Sequence, residues 1–137
     1  MERVSELSGS NYDVELADDG LAIARVRRRP DIDTSAGADA IEQMASAILD
    51  AADEHVAALL LDLSDAPAVT GPRTQATLTT LLEQWCGTGR RAAVVIGDSA
   101  VQRMQVDRIA AGVHTGAVIV ATSVDAAMIW LRGRLPT

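Results

Sequence analysis

Ala57-Ala58-Leu59-Leu60-Leu61-Asp62-Leu63 is a nearly continuous apolar run, too short to make a useful helix. A run of this kind suits a strand covered on both faces, which is the mark of a parallel sheet. Ala92 to Ile96 and Ala117 to Ala121 read the same way. Helical patterns separate the three. One opens near Pro72, whose missing N–H costs nothing in a first turn, and carries Leu78, Leu81, Leu82 and Trp85. The next follows Ser99 and runs to about Ala111, stopped by Gly112; Ser99 with Gln102 three residues on predicts a capping box. A last helix starts at Ser123 with Val124, Ala127, Met128 and Leu131 on one stripe.

Upstream of the run, Ala38 to Asp53 places Ile41, Met44, Ala45, Ile48, Leu49 and Ala52 on one helical face. Before that, Tyr12, Val14 and Leu16 alternate with Asp13, Glu15 and Ala17, the period of a half-exposed strand. Asp18-Asp19-Gly20 supplies turn chemistry, and Leu21 to Arg27 is the return strand, apolar on both faces until the arginines begin, with Pro30 ending it. The order β-β-α-β-α-β-α-β-α demands βαβ crossovers. The expected fold is therefore α/β. It is a single domain over 1–137 in which an N-terminal β-hairpin feeds a mixed, mostly parallel five-stranded sheet with four main helices. Residues 1–10 read as a flexible lead-in.

A length of 137 residues with 48% hydrophobic and 23% charged residues suits one domain with a full core. No apolar run approaches the roughly 18 residues of a membrane span, and the polar, acidic Met1 to Ser10 does not read as a secretory signal. The lone cysteine, Cys86, has no partner for an internal disulfide and fits a reducing compartment. A cytoplasmic location is expected. All 12 basic residues are arginines, which excludes a P-loop lysine and Schiff-base chemistry. With a net charge of −7 and 2% aromatic residues, nucleic acid is not an expected partner.

The element order and Leu59-Leu60-Leu61-Asp62-Leu63-Ser64 at the end of a strand resemble STAS domains, the anti-sigma-factor-antagonist fold, with its D-L-S element. The chain is most similar to uncharacterised STAS-like proteins of high-GC bacteria. These share the Asp-x-x-x-Ala-Pro stretch Asp62 to Pro67, Arg90-Arg91-Ala92-Ala93-Val94-Val95, the Val101 to Val106 helix and the closing Ala127 to Arg132. The phosphorylatable members carry D-S-S-G-L at the start of the following helix. That slot here holds Thr70-Gly71-Pro72-Arg73-Thr74, so the phosphoacceptor serine is missing, with Thr70 and Thr74 as substitutes. The resemblance implies a non-catalytic regulatory or scaffold module that binds a protein, and in some relatives a nucleotide or lipid. It places the partner surface on Ser64, Asp65, Thr70, Arg73 and Thr74. Pro67 and Pro72 would pre-shape that loop and lower the ordering cost of binding. A homodimer is a further expectation, because a half-apolar opening hairpin leaves a strand edge and face for a symmetric partner.

Other constellations are weighed against this. Arg27, Arg28 and Arg29, with Arg25, form the densest charge run and a candidate anion site for a nucleotide or lipid headgroup; the simpler expectation is pairing with Asp31, Asp33 and the acidic hairpin. Asp31-Ile32-Asp33-Thr34 matches D-x-D-x-T of haloacid-dehalogenase phosphatases, with Ser64 and Asp98 as completing groups. Pro30 and the arginines stand where that chemistry needs an apolar strand, and no lysine exists to balance the charge. Gly97-Asp98-Ser99 resembles a serine-esterase block, but Asp107 and His114 lie seven apart where Asp-x-x-His is needed, and Ser99 is explained as a helix cap. His55 ends a helix, His114 lies in a loop, and one cysteine with scattered ligands predicts no metal site. Cys86 beside Trp85 reads as a small buried apolar residue. The expectation is no catalytic residue and no cofactor.

Overall fold

The computed structural model describes residues 5–8, 11–17, 20–27, 34–51, 56–66, 71–87, 89–113 and 116–134. Its strands are β1 (Ser5–Ser8), β2 (Tyr12–Leu16), β3 (Leu21–Arg27), β4 (Ala58–Asp65), β5 (Arg91–Val95) and β6 (Val118–Ala121). The helices are α1 (Thr34–Ala51), α2 (Pro72–Cys86), α3 (Ala100–Ala111) and α4 (Val124–Arg134). All five expected strands and all four helices are present. The sheet order is β1-β2-β3-β4-β5-β6. β1, β2 and β3 pair antiparallel, and β3 through β6 run parallel.

Two boundaries differ from expectation. Within the stretch read as a flexible lead-in, Ser5–Ser8 pair with Leu16 to Asp13 and add a sixth strand at the edge. Helix α1 begins at Thr34, four residues before its first apolar contact at Ala38. The β2–β3 turn is as read. Gly20 takes φ 87°, and Ala17 N–H donates to the Leu21 carbonyl at 2.9 Å.

The parallel crossovers put α1, α2 and α3 on one face of the sheet. Leu59, Leu61, Val94 and Ile96 meet Ile41, Met44, Ile48, Leu81, Leu82 and Trp85 there. Trp85 is fully buried and donates its indole N–H to the Arg91 carbonyl at 2.9 Å, so its polar atom is satisfied within the core. Among the described residues the opposite face carries only α4, where Ala127 and Leu131 cover Leu21, Leu60, Ala93 and Val95. The triple leucine run is buried because odd and even positions serve different layers. Cys86 lies in the first layer, as read, and its burial pushes the thiol up to about 11.

Helix α4 packs on β4, β5 and β6 and leaves β2 uncovered. On that side Asp13 and Glu15 of β2 meet Arg25 and Arg27 of β3. Arg27 pairs with Asp13, and Arg25 lies 3.7 Å from Glu15. The hairpin face expected to offer an apolar surface to a second copy is therefore an ion-paired, solvated one, and β1 covers the edge of β2. The open edge on this side of the sheet is therefore β1.

Candidate functional site

The carboxyl ends of the parallel strands gather on one rim, where open α/β sheets bind ligands. Strand β4 ends there in Ser64 and Asp65, both exposed. Asp62 fixes Ser64, since its Oδ1 accepts the Ser64 backbone N–H at 3.0 Å and the Ser64 hydroxyl at 2.6 Å. The hydroxyl is thus spent on a local turn.

Behind this turn stands a residue that the sequence reading cast differently. Ser99 caps α3 as expected, accepting the Gln102 N–H at 3.1 Å. Gln102 does not complete the capping box with its side chain. It is 5% exposed and turns inward, where Oε1 accepts the Gly97 N–H at 2.8 Å and Nε2 donates to the Leu63 carbonyl at 2.8 Å. One amide therefore ties the ends of β4 and β5 to α3 with matched donor and acceptor. Gly97 belongs to the same junction, because a Cβ there would sit 3.1 Å from the Ser64 carbonyl oxygen. The expected Gly-Asp-Ser constellation resolves into a close approach at Gly97, an exposed Asp98 and a helix cap at Ser99.

Across the rim, α2 opens at Gly71 with Pro72 in its first turn and no side-chain cap. Arg73 is exposed but not idle. Its Nε and one terminal nitrogen reach the two oxygens of Glu42 at 2.6 and 2.7 Å, and that terminal nitrogen reaches Asp39 Oδ1 at 2.5 Å. This fork links the first turns of α2 to α1. It holds the Glu42 carboxyl below the ordinary carboxylate range and raises Arg73, chiefly through the hydrogen bonds themselves. Thr74 follows, half-buried. Ser64, Asp65, Arg73 and Thr74 thus stand at two element ends of the same rim, while Thr70 lies outside the described residues.

Of the arginine run, Arg27 is engaged by Asp13, and Arg28 and Arg29 lie outside the described residues. So do Asp31, Asp33, His55 and His114, leaving the phosphatase and esterase constellations without a described geometry. Among the described residues no group of three or more His, Cys, Asp or Glu side chains could hold a metal ion. No helix among them is long and apolar enough to cross a membrane.

Between α1 and α2, below the Arg73 fork, runs an open groove of about 380 Å³. Ala45, Ser46, Ala76, Thr77 and Thr80 line it together with Leu49, Leu81 and the paired Glu42 and Arg73.

No family model matches the chain, and no curated protein is similar to it in sequence. Among solved structures, the fold is similar to that of the protein TM1081, determined by NMR. The identity is 12% and the TM-score 0.59, over 96% of this chain and 97% of that one. At this identity the likeness is one of fold.

Proposed function

We propose that the protein is a non-catalytic, STAS-like regulatory or scaffold module that binds a protein partner through the rim from Ser64 to Thr74. The observation that carries this reading is the way the rim is built. Exposed Ser64 is held by Asp62 beside exposed Asp65, and exposed Arg73 is held by Asp39 and Glu42. Polar groups fixed in advance lose little freedom on binding, which favours recognition of a folded surface. An acidic group on the partner would compete with Glu42 and Asp39 for the Arg73 fork.

The test is a pull-down with the native chain, Arg73→Ala and the pair Ser64→Ala with Asp65→Ala, followed by calorimetry on any captured protein. Binding lost in both variants, with circular dichroism unchanged, is the expected result. The competing reading is a module for an anionic nucleotide or lipid headgroup using Arg27 to Arg29. Arg27 would have to leave Asp13 to serve it. Heat of binding to nucleotides or anionic vesicles that disappears with Arg28→Ala, and no protein captured, would replace the first reading with this one. Turnover of phosphate esters with Mg²⁺ that Asp31→Asn abolishes would replace both.

A further inference from the structure

The groove between α1 and α2 repeats with a helical period along both walls. Glu42, Ala45 and Leu49 line it at i, i+3 and i+7 on α1, and Arg73, Ala76 and Thr80 do so at the same spacing on α2. The two rows start together, because Arg73 holds Glu42. Both helices follow parallel strands, so they run in one direction and the rows stay in step over two turns, about 10 Å. Beyond the Arg73–Glu42 pair the lining is alanine, leucine, serine and threonine. Thr77 gives its hydroxyl proton to the Arg73 carbonyl at 3.0 Å and so has none left for a ligand. An extended chain presents same-face side chains about every 6.7 Å, whereas a helix presents a row about every 5.4 Å. The period of the walls is therefore that of a third helix laid along them.

Charge decides which kind of helix. Helices α1 and α2 carry Asp39, Glu42, Asp50 and Glu83 but a single base, Arg73, although the chain has 12 arginines. A carboxylate on an incoming helix competes with Glu42 and Asp39 for Arg73 and enters a field of net negative charge. A lysine or arginine meets no such competitor, since a paired carboxylate keeps free lone pairs. We propose that the α1–α2 groove receives a basic amphipathic helix of the partner protein. Its small apolar side chains enter the groove, and its lysines or arginines face the carboxylates of α1 and α2. This rests on the reading of the rim as the partner site, with which the groove is continuous through Arg73. It adds what the partner brings, a helix of stated charge.

The test is a nuclear magnetic resonance titration of the isotope-labelled full chain with a synthetic peptide. The peptide has about 16 residues, long enough to be helical alone, with alanine and leucine on one face and lysine on its flanks. Saturable amide shifts confined to the groove-lining turns of α1 and α2, and weakening with salt, are the expected result. The same peptide with glutamate for lysine should not bind. Ala76 is exposed, so Ala76→Trp fills the groove without entering the core and should weaken the lysine peptide at least about tenfold. Asp39→Asn with Glu42→Gln should weaken it too and flatten its salt dependence. Circular dichroism should match the native chain in each variant. Shifts elsewhere on the chain, equal binding of the glutamate peptide, or an affinity indifferent to Ala76→Trp would overturn the proposal. So would shifts that grow with the concentration of the chain alone, which would put a second copy in the groove. The rim is judged separately in the pull-down. A protein captured equally by the native chain and Ala76→Trp removes the groove and leaves the rim. Capture lost with Ala76→Trp but kept with Ser64→Ala and Asp65→Ala removes the rim and leaves the groove.

Discussion

Gln102 bridges two backbone groups where β4 and β5 end. It accepts from the Gly97 N–H and donates to the Leu63 carbonyl, which also accepts the Ala66 N–H at 3.0 Å. Gln102→Leu keeps the volume and removes both bonds, leaving the half-buried Gly97 N–H without this acceptor while the Leu63 carbonyl keeps the Ala66 N–H. The unfolding free energy should fall by about 1–3 kcal/mol, read as a lower urea midpoint at unchanged slope. Cys86 gives a pH-dependent counterpart. Its thiol titrates at about 11 in the folded chain against 9.0 for an ordinary one, because burial disfavours the thiolate. The unfolded chain therefore releases this proton first. The contribution of roughly 2–3 kcal/mol is fully present below pH about 9 and is lost as the pH rises towards about 11. Denaturation midpoints measured over that interval should decline less in Cys86→Ala than in the native chain. Thiol reagents at neutral pH should modify Cys86 only after unfolding.

At the scale of elements, α4 is the one helix on its face among the described residues, and Leu131 is its anchor at 0% exposed. Leu131→Ala should cost about 2–5 kcal/mol. Hydrogen exchange should show the loss as faster opening of α4 while α1 and α2 stay protected. The elements most legible in the sequence were those whose side chains carry the pattern. Leu59 to Leu61, with a layer on each side, and the Leu78-Leu81-Leu82-Trp85 stripe reported burial directly. Ser5–Ser8 did not, because a short polar edge strand is recruited through backbone hydrogen bonds that any sequence can make. The first turn of α1 was hidden for a related reason. Thr34 to Gly37 precede the buried face, and their composition reads as a loop. At the site, the exposed rim residues followed from strand ends and a helix start. Their partners were not legible. Arg73 finds Glu42 and Asp39 31 and 34 residues away, and Gln102 finds Leu63 39 residues away, through contacts that only the sheet order creates. Local spacing around Gln102 predicted a cap, and tertiary structure claimed its side chain for another use.

For the molecule as a whole, the sheet has two edges, β1 and β6, and β1 shields the longer β2 from the outside. Removing residues 1–8 should leave the β2–β6 framework folded while exposing the outer backbone of Tyr12–Leu16. An unpaired strand of that kind is a template for pairing between chains. Light scattering on heating should therefore begin at a lower temperature in the shortened chain, with far-ultraviolet circular dichroism at 25 °C close to native. The uneven layering of the helices has a consequence in time. During synthesis the chain emerges from its N-terminal end at about 5–20 residues per second. By the time β5 has emerged, the layer of α1 and α2 can already cover one side of the sheet. The other side, with Leu21, Leu60, Ala93 and Val95, stays bare until Ala127 and Leu131 leave the ribosome. Until then the nascent chain is a half-clad sheet with a greasy surface, the state in which a holding chaperone has the most to grip.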